Sequence, residues 1–95
     1  MFVRIIQFSV LPEFVPELTD HFHAMIESIL KPQPGFAGSR VMINYTTYQC
    51  LTVTSWLSKD ALDLSEANGY LSNIFNNIKP MLASRPLISY YQDVI

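Results

Sequence analysis

The chain is short of charge, cysteine and glycine, and each shortage excludes something. Of its 95 residues, six are Lys or Arg and eight are Asp or Glu, 15% in all, where an ordinary domain carries about 25%. The formal net charge is −2 and no Lys/Arg cluster occurs, so the phosphate-neutralising surface that nucleic-acid binding needs is missing. The one cysteine, Cys50, has no partner for an internal disulfide and reads as a small buried hydrophobe. With three glycines there is no G-x-G-x-x-G for a dinucleotide, and no G-x-S-x-G for a nucleophile elbow. No apolar run approaches the ~18 residues of a membrane helix. Met1 leads straight into a strand without a secretory signal, which predicts a cytoplasmic protein.

What is plentiful is hydrophobic surface, 49% of residues. That suffices for one domain, 1–95, with one modest core. So few charges cover an isolated small monomer poorly. The composition therefore predicts a homodimer that buries one apolar face against a second copy. An uncharged surface of Ser, Thr, Asn and Gln is the blander alternative.

The organising stretch is Pro34 to Trp56. A Pro-Gly turn signal opens two β-rich runs, and the polar Tyr45–Tyr48 segment between them predicts a four-residue hairpin loop. Pairing Asn44 with Gln49 puts Ala37, Ser39, Val41, Ile43, Cys50, Thr52, Thr54 and Trp56 on one face. Gly38, Arg40, Met42, Asn44, Gln49, Leu51, Val53 and Ser55 fall on the other. Both faces mix apolar and polar groups, so each is expected to be covered.

Before the hairpin, Phe2–Val10 reads as a central strand, with Arg4 its single charge. Apolar residues from Phe14 to Lys31 recur at spacings of three and four, the pattern of an amphipathic helix, which Pro32 and Pro34 stop. After the hairpin, Ser58 N-caps a helix expected over Lys59–Ala67 that buries Ala61, Leu62 and Leu64. Asn68-Gly69 breaks it. A second helical run starts at Tyr70, carries Leu71, Ile74, Phe75 and Ile78 on one stripe, and ends or kinks at Pro80. Leu87–Val94 reads as the last strand. The order βαββαβ predicts an α+β, ferredoxin-like antiparallel sheet with its helices on one face.

Pro34-Gly35-Phe36, the hairpin ending in Trp56, and Ser58-Lys59-Asp60-Ala61-Leu62 together resemble the antibiotic-biosynthesis monooxygenase (ABM) family. Asp60 stands where that family usually has Glu. The resemblance implies a dimeric α+β barrel of two face-to-face sheets. It also implies a cofactor-independent oxygenase acting on a small aromatic compound, a phenol or quinol. Many relatives carry a His shortly after the Ala-Leu, whereas Asp63, Leu64, Ser65 and Glu66 occupy that zone here. Haem-degrading members have Asn, Trp and His where this chain has Gln7, Leu64 and Ile74. Without an axial His, iron has no protein ligand, so haem degradation is not expected.

The two histidines, His21 and His23, point about 200° apart on a helix and cannot chelate one metal. No metal site and no bound cofactor are expected. Either imidazole is a candidate catalytic base, or else a boundary histidine packing its ring. Trp56 is a candidate pocket wall that stacks a flat aromatic, or else a core residue with a bonded indole N–H. Gln7 and Asn68 are candidate donors to a substrate oxyanion, Tyr70 a candidate substrate contact, and Arg85 a candidate anchor for an anionic group. Gln7, Asn68 and Arg85 are each also ordinary turn or cap residue types. Two classes stay open: an oxygenase, and a non-catalytic dimeric barrel that binds a small apolar ligand.

Overall fold

A computed structural model describes all residues, 1–95. The strands are β1 (Phe2–Ser9), β2 (Phe36–Asn44), β3 (Gln49–Trp56) and β4 (Leu87–Gln92). They form one sheet in the order β2-β3-β1-β4, with every neighbouring pair antiparallel. Helix α1 (Val15–Met25) follows a 3-10 turn at Pro12–Phe14 and runs into a π-helical turn at Ile26–Leu30. Helices α2 (Lys59–Ala67) and α3 (Tyr70–Ile78) fill the second crossover, with a 3-10 turn at Lys79–Met81. This is the expected ferredoxin-like α+β fold, with its helices on one face of the sheet.

The hairpin closes as its residue types require. Asn44 pairs with Gln49, and Asn44 Oδ1 accepts from the N–H groups of Thr46 and Thr47 at 2.9 and 3.1 Å, the local bonding that makes Asn a turn residue. Further down, the register shifts between Phe36 and Gly38. Ala37 is the extra residue of this bulge, so Phe36 instead of Ala37 opposes Trp56, and the two rings meet edge-on at 5.4 Å. Period-two counting fails there because a bulge moves later side chains to the other face. Gly35 marks a close approach: a Cβ on it would sit 2.4 Å from the Ala61 Cβ. The turn after α1 can therefore rest on α2 only if residue 35 has no side chain.

Helix α2 occupies the expected span, and Ser58 Oγ accepts from the Ala61 N–H at 3.1 Å. Leu64, expected inside, is 68% exposed, and Ser65 is buried in its place. Leu62 anchors the inner face, and position 64 lies about 200° around the helix from it, whereas 65 and 66 return to that face. The last strand stops at Gln92, short of Val94, and Val10 forms only an isolated bridge to Leu82 beyond β1.

The core divides in two. Ile6, Phe8, Val10, Val15, Leu18, Phe22, Cys50, Ile78 and Met81 form one apolar cluster. Leu30, Trp56, Leu62 and Tyr70 form the other. The division is written along the strands. On the helix side β1 reads Phe2, Arg4, Ile6, Phe8, and β3 reads Trp56, Thr54, Thr52, Cys50 across from them. A seam of Arg4, Thr52 and Thr54, all buried and joined by Ser65 from α2, crosses the middle of the layer. Polar side chains cannot close-pack as aliphatic ones do. The cleft described next opens beside this seam.

Candidate functional site

Between the sheet and helices α1 and α3 lies an internal cavity of about 20 Å³. Its apolar wall includes Ile6, Phe8, Leu30, Leu71, Ile74 and Phe75, and Tyr70 and the seam residues Arg4, Thr52 and Thr54 also border it. Both Ile26 and Leu30 of the π-turn reach it. The wider turn, bonded Lys31 N–H to Ile26 O at 3.0 Å, belongs to a class of irregularity that recurs at functional sites. An outer groove of about 390 Å³ lies at the β2 edge, lined by Thr19, Phe22, His23, Ile26, Val41, Ile43 and Tyr45. Phe22, Ile26 and Val41 border both spaces, so groove and cavity share their walls as two parts of one cleft. The groove is of the size that takes a small organic ligand.

Arg4 is the buried charged group of the inner part, 1% exposed; Arg40 of β2 also borders it. Its Nη1 donates to Ser65 Oγ at 3.1 Å and to Glu66 Oε1 at 3.3 Å, and its Nη2 donates to the Tyr70 hydroxyl. The guanidinium carbon lies 5.6 Å from the Trp56 ring centroid and 5.5 Å from that of Tyr70, within cation–π range. Glu66 Oε1 also accepts from the Tyr90 hydroxyl at 2.6 Å. Arg4 Nε is buried without a partner. Leaving such a donor unpaired costs about 1–3 kcal/mol, so the site carries an unmet demand for an acceptor.

The surroundings shift nearby groups in one direction. Burial raises the Tyr70 phenol above its ordinary 10.0, against the pull of Arg4. Tyr90 is pushed up to about 12 by burial and by its bond to Glu66. Both therefore stay protonated at neutral pH, as donors and not as bases. Burial lifts the Cys50 thiol to about 11, which leaves it unreactive. No group of three or more His, Cys, Asp or Glu is arranged to hold a metal ion.

Of the residues singled out from the sequence, the fold brings two to the cleft: His23 at the rim of the outer groove and Tyr70 on the wall of the inner cavity. His21, on the other side of Phe22, lines a separate depression with Ile74 and Asn77. Gln7 lies on the open face of the sheet, paired with Leu51 and Leu87, away from Trp56. Asn68 is the C-cap of α2, and its Oδ1 accepts from the Tyr70 N–H at 3.0 Å. Arg85 is exposed in a hollow with Lys79, Leu82 and Pro86. Trp56 is 0% exposed and borders neither part of the cleft; its indole N–H donates to Thr54 Oγ1 at 3.1 Å. Arg4 was missed. Parity in the sequence groups Arg4 with Ile6 and Phe8 on one face of β1, but only the packed helices make that face the buried one.

A four-stranded antiparallel sheet with helices on one face and a cleft between the layers define an α+β domain of the ferredoxin-like kind. The sequence pattern of the family described as antibiotic biosynthesis monooxygenase matches residues 1–75, and the chain belongs to that family. Among curated proteins none matches it. Its fold is shared with Rv0793 from Mycobacterium tuberculosis, at 15% identity over 99% of this chain and 95% of that one, TM-score 0.80. It is similar also to a conserved protein from Methanosarcina mazei Go1, at 20% identity over 97% and 92%, TM-score 0.79. A third similar structure is a monooxygenase from the gene ActVA-Orf6 of Streptomyces coelicolor in complex with the ligand nanaomycin D. It is 17% identical over 97% and 86%, with a TM-score of 0.83. No helix is long and apolar enough to cross a membrane.

Proposed function

We propose that the chain is a monooxygenase that oxidises a small phenol- or quinol-type aromatic in this cleft, using dioxygen and no bound cofactor. The observation that carries the reading is the cleft's polarity. Apolar walls for a ring are bordered by an imidazole in the outer groove, His23, and by a buried guanidinium in the inner cavity, Arg4. Phenol oxidation needs a base where the proton leaves and a positive charge where reduced oxygen builds up.

The chemistry balances without a redox group on the protein. His23 takes the phenolic proton, and the negative charge spreads to a ring carbon ortho or para to the oxygen that still carries a hydrogen. That carbon bonds to dioxygen, and the resulting peroxide takes a proton. Loss of the remaining proton on the same carbon breaks the O–O bond, releases water and leaves a quinone. The substrate supplies all four electrons, so the protein supplies binding, orientation and charge. Tyr70, protonated and bonded to Arg4, holds the guanidinium in place.

The functional unit in this reading is a homodimer formed through the open sheet face. A non-catalytic barrel that sequesters an apolar ligand is the second reading, favoured by the solvent exposure of His23, which costs a base some of its precision. An oxygen electrode with a panel of hydroquinones and naphthols separates the two. Uptake of one dioxygen per phenol, lost in His23→Gln, is expected. Saturable binding of the same compounds without oxygen uptake would overturn the oxygenase reading.

A further inference from the structure

We infer that the inner cavity is a dioxygen site, separate from the groove that takes the aromatic ring. The inference deepens the oxygenase reading and rests on it for its purpose, though its own measurement needs no turnover. Size is the first argument. At about 20 Å³ the cavity exceeds the ~10–15 Å³ that a water-sized guest requires but is far too small for a ring. The outer groove, at about 390 Å³, accommodates one. A cleft with one compartment for a ring and another for a diatomic molecule is divided as a two-substrate oxidation requires.

Polarity is the second argument. Most of the residues that border the cavity are hydrophobic, among them Ile6, Phe8, Leu30, Leu71, Ile74 and Phe75, and apolar walls of that kind favour apolar guests. Dioxygen is such a guest on arrival and an anion after reduction. The third argument is Arg4, which borders the cavity with its Nε buried and unpartnered while its other nitrogens are held by Ser65, Glu66 and Tyr70. In the first step the substrate anion passes one electron to triplet dioxygen, giving a substrate radical and superoxide. The new charge forms beside a fixed, buried cation among largely apolar walls, where the interaction is stronger than in water. Recombination of the two radicals makes the C–O bond, and the proton held by His23 completes the hydroperoxide.

The test is methyl NMR of the whole protein under dissolved oxygen, with no aromatic substrate present. Dioxygen is paramagnetic and broadens the methyls it visits. Leu30 and Leu18 are matched controls, each 1% exposed, but only Leu30 borders the cavity. Broadening several-fold greater at Leu30, Ile6 and Ile74 than at Leu18, Val10 and Ile78 is expected. It should collapse to the control level in Leu71→Phe and, independently, in Thr52→Ile, both of which add bulk to the cavity wall. In turnover the same variants should raise the KM for dioxygen several-fold while leaving the KM for the phenol near its starting value. Uniform broadening across the core, as a cavity holding water would give, overturns the assignment. So does selective broadening that survives both variants. If the broadening is selective but no phenol is oxidised, the gas site stands and the oxygenase reading falls.

Discussion

On β1 the helix-side residues Arg4, Ile6 and Phe8 are buried, while Val3, Ile5 and Gln7, each one position along, remain half-exposed. The same alternation runs down β3, where Cys50, Thr52, Thr54 and Trp56 are sealed and Leu51, Val53 and Ser55 are not. The two faces differ in an unexpected way. The sealed face contains the cation, two threonines and a cysteine, and the open face presents Val3, Ile5, Leu51 and Val53. Burial thus follows from the layer each face meets and not from the polarity of its residues. The sealed face tolerates Arg4 because Ser65, Glu66 and Tyr70 bond it. The apolar open face has no cover within the chain, which is why a second copy is the proposed partner.

The contrast breaks most severely at Trp56. Trp56→Ala removes the largest fully buried side chain and should cost about 3–5 kcal/mol, read from the urea midpoint. The ring is also the surface beneath Arg4, so the milder Trp56→Phe should weaken aromatic-ligand binding only slightly, since Trp56 does not border the cleft. A large affinity loss with unchanged stability would reverse that assignment.

Arg4→Met is next. It fits an apolar chain into the seam but strips Glu66 of its cation and Tyr70 of its donor. Removing one partner of a buried pair costs about 3–5 kcal/mol, and the partial exposure of Glu66 lowers the expectation to about 2–3. Denaturant unfolding measures it. Adding Glu66→Gln should recover part of the loss, which an unrelated packing defect would not allow.

Cys50 gives a pH-dependent test of the sealed face. Its thiol is raised from 9.0 to about 11, so below pH 9 it is protonated in both folded and unfolded chains and its contribution is whole. Between pH 9 and 11 the unfolded chain sheds the proton first, and stability falls by about 2–3 kcal/mol. Cys50→Val should flatten that alkaline limb in a stability–pH profile. Tyr90, raised to about 12, titrates above it.

The smallest effect on the single chain is expected on the open face. Val53→Asp should change monomer stability by less than about 1 kcal/mol, because the position is already half solvated. It should nonetheless convert the proposed dimer to a species of 10.9 kDa in light scattering. An unchanged assembly, or a monomeric parent protein, removes the dimer from the functional proposal.

Local chemistry made much of this legible in advance. Ser58 as N-cap, the Tyr45–Tyr48 loop, the Asn44–Gln49 pairing and the amphipathic stripe of α1 depend on residues near one another in sequence. Their energies are set before tertiary contacts form. Where an inserted residue or a helix face had to be chosen, local counting failed. The bulge at Ala37 moved Phe36 onto Trp56, and α2 turned Leu64 outward and Ser65 in.

The site was less legible for the same reason. His23 and Tyr70 could be nominated by residue type, but Gln7, Asn68, Trp56 and Arg85 were chosen equally well and lie elsewhere. The chain's order of elements, its strands' parity and its shortage of charge were determined by sequence alone. Which parity faces the helices, and hence that Arg4 is enclosed, was decided only when α2 and α3 packed onto β1. Arg4 and Tyr70 are 66 residues apart in sequence, and no local preference encodes a contact that long. Such a contact exists only once burial of the two apolar clusters has offset the entropy of closing the chain between them.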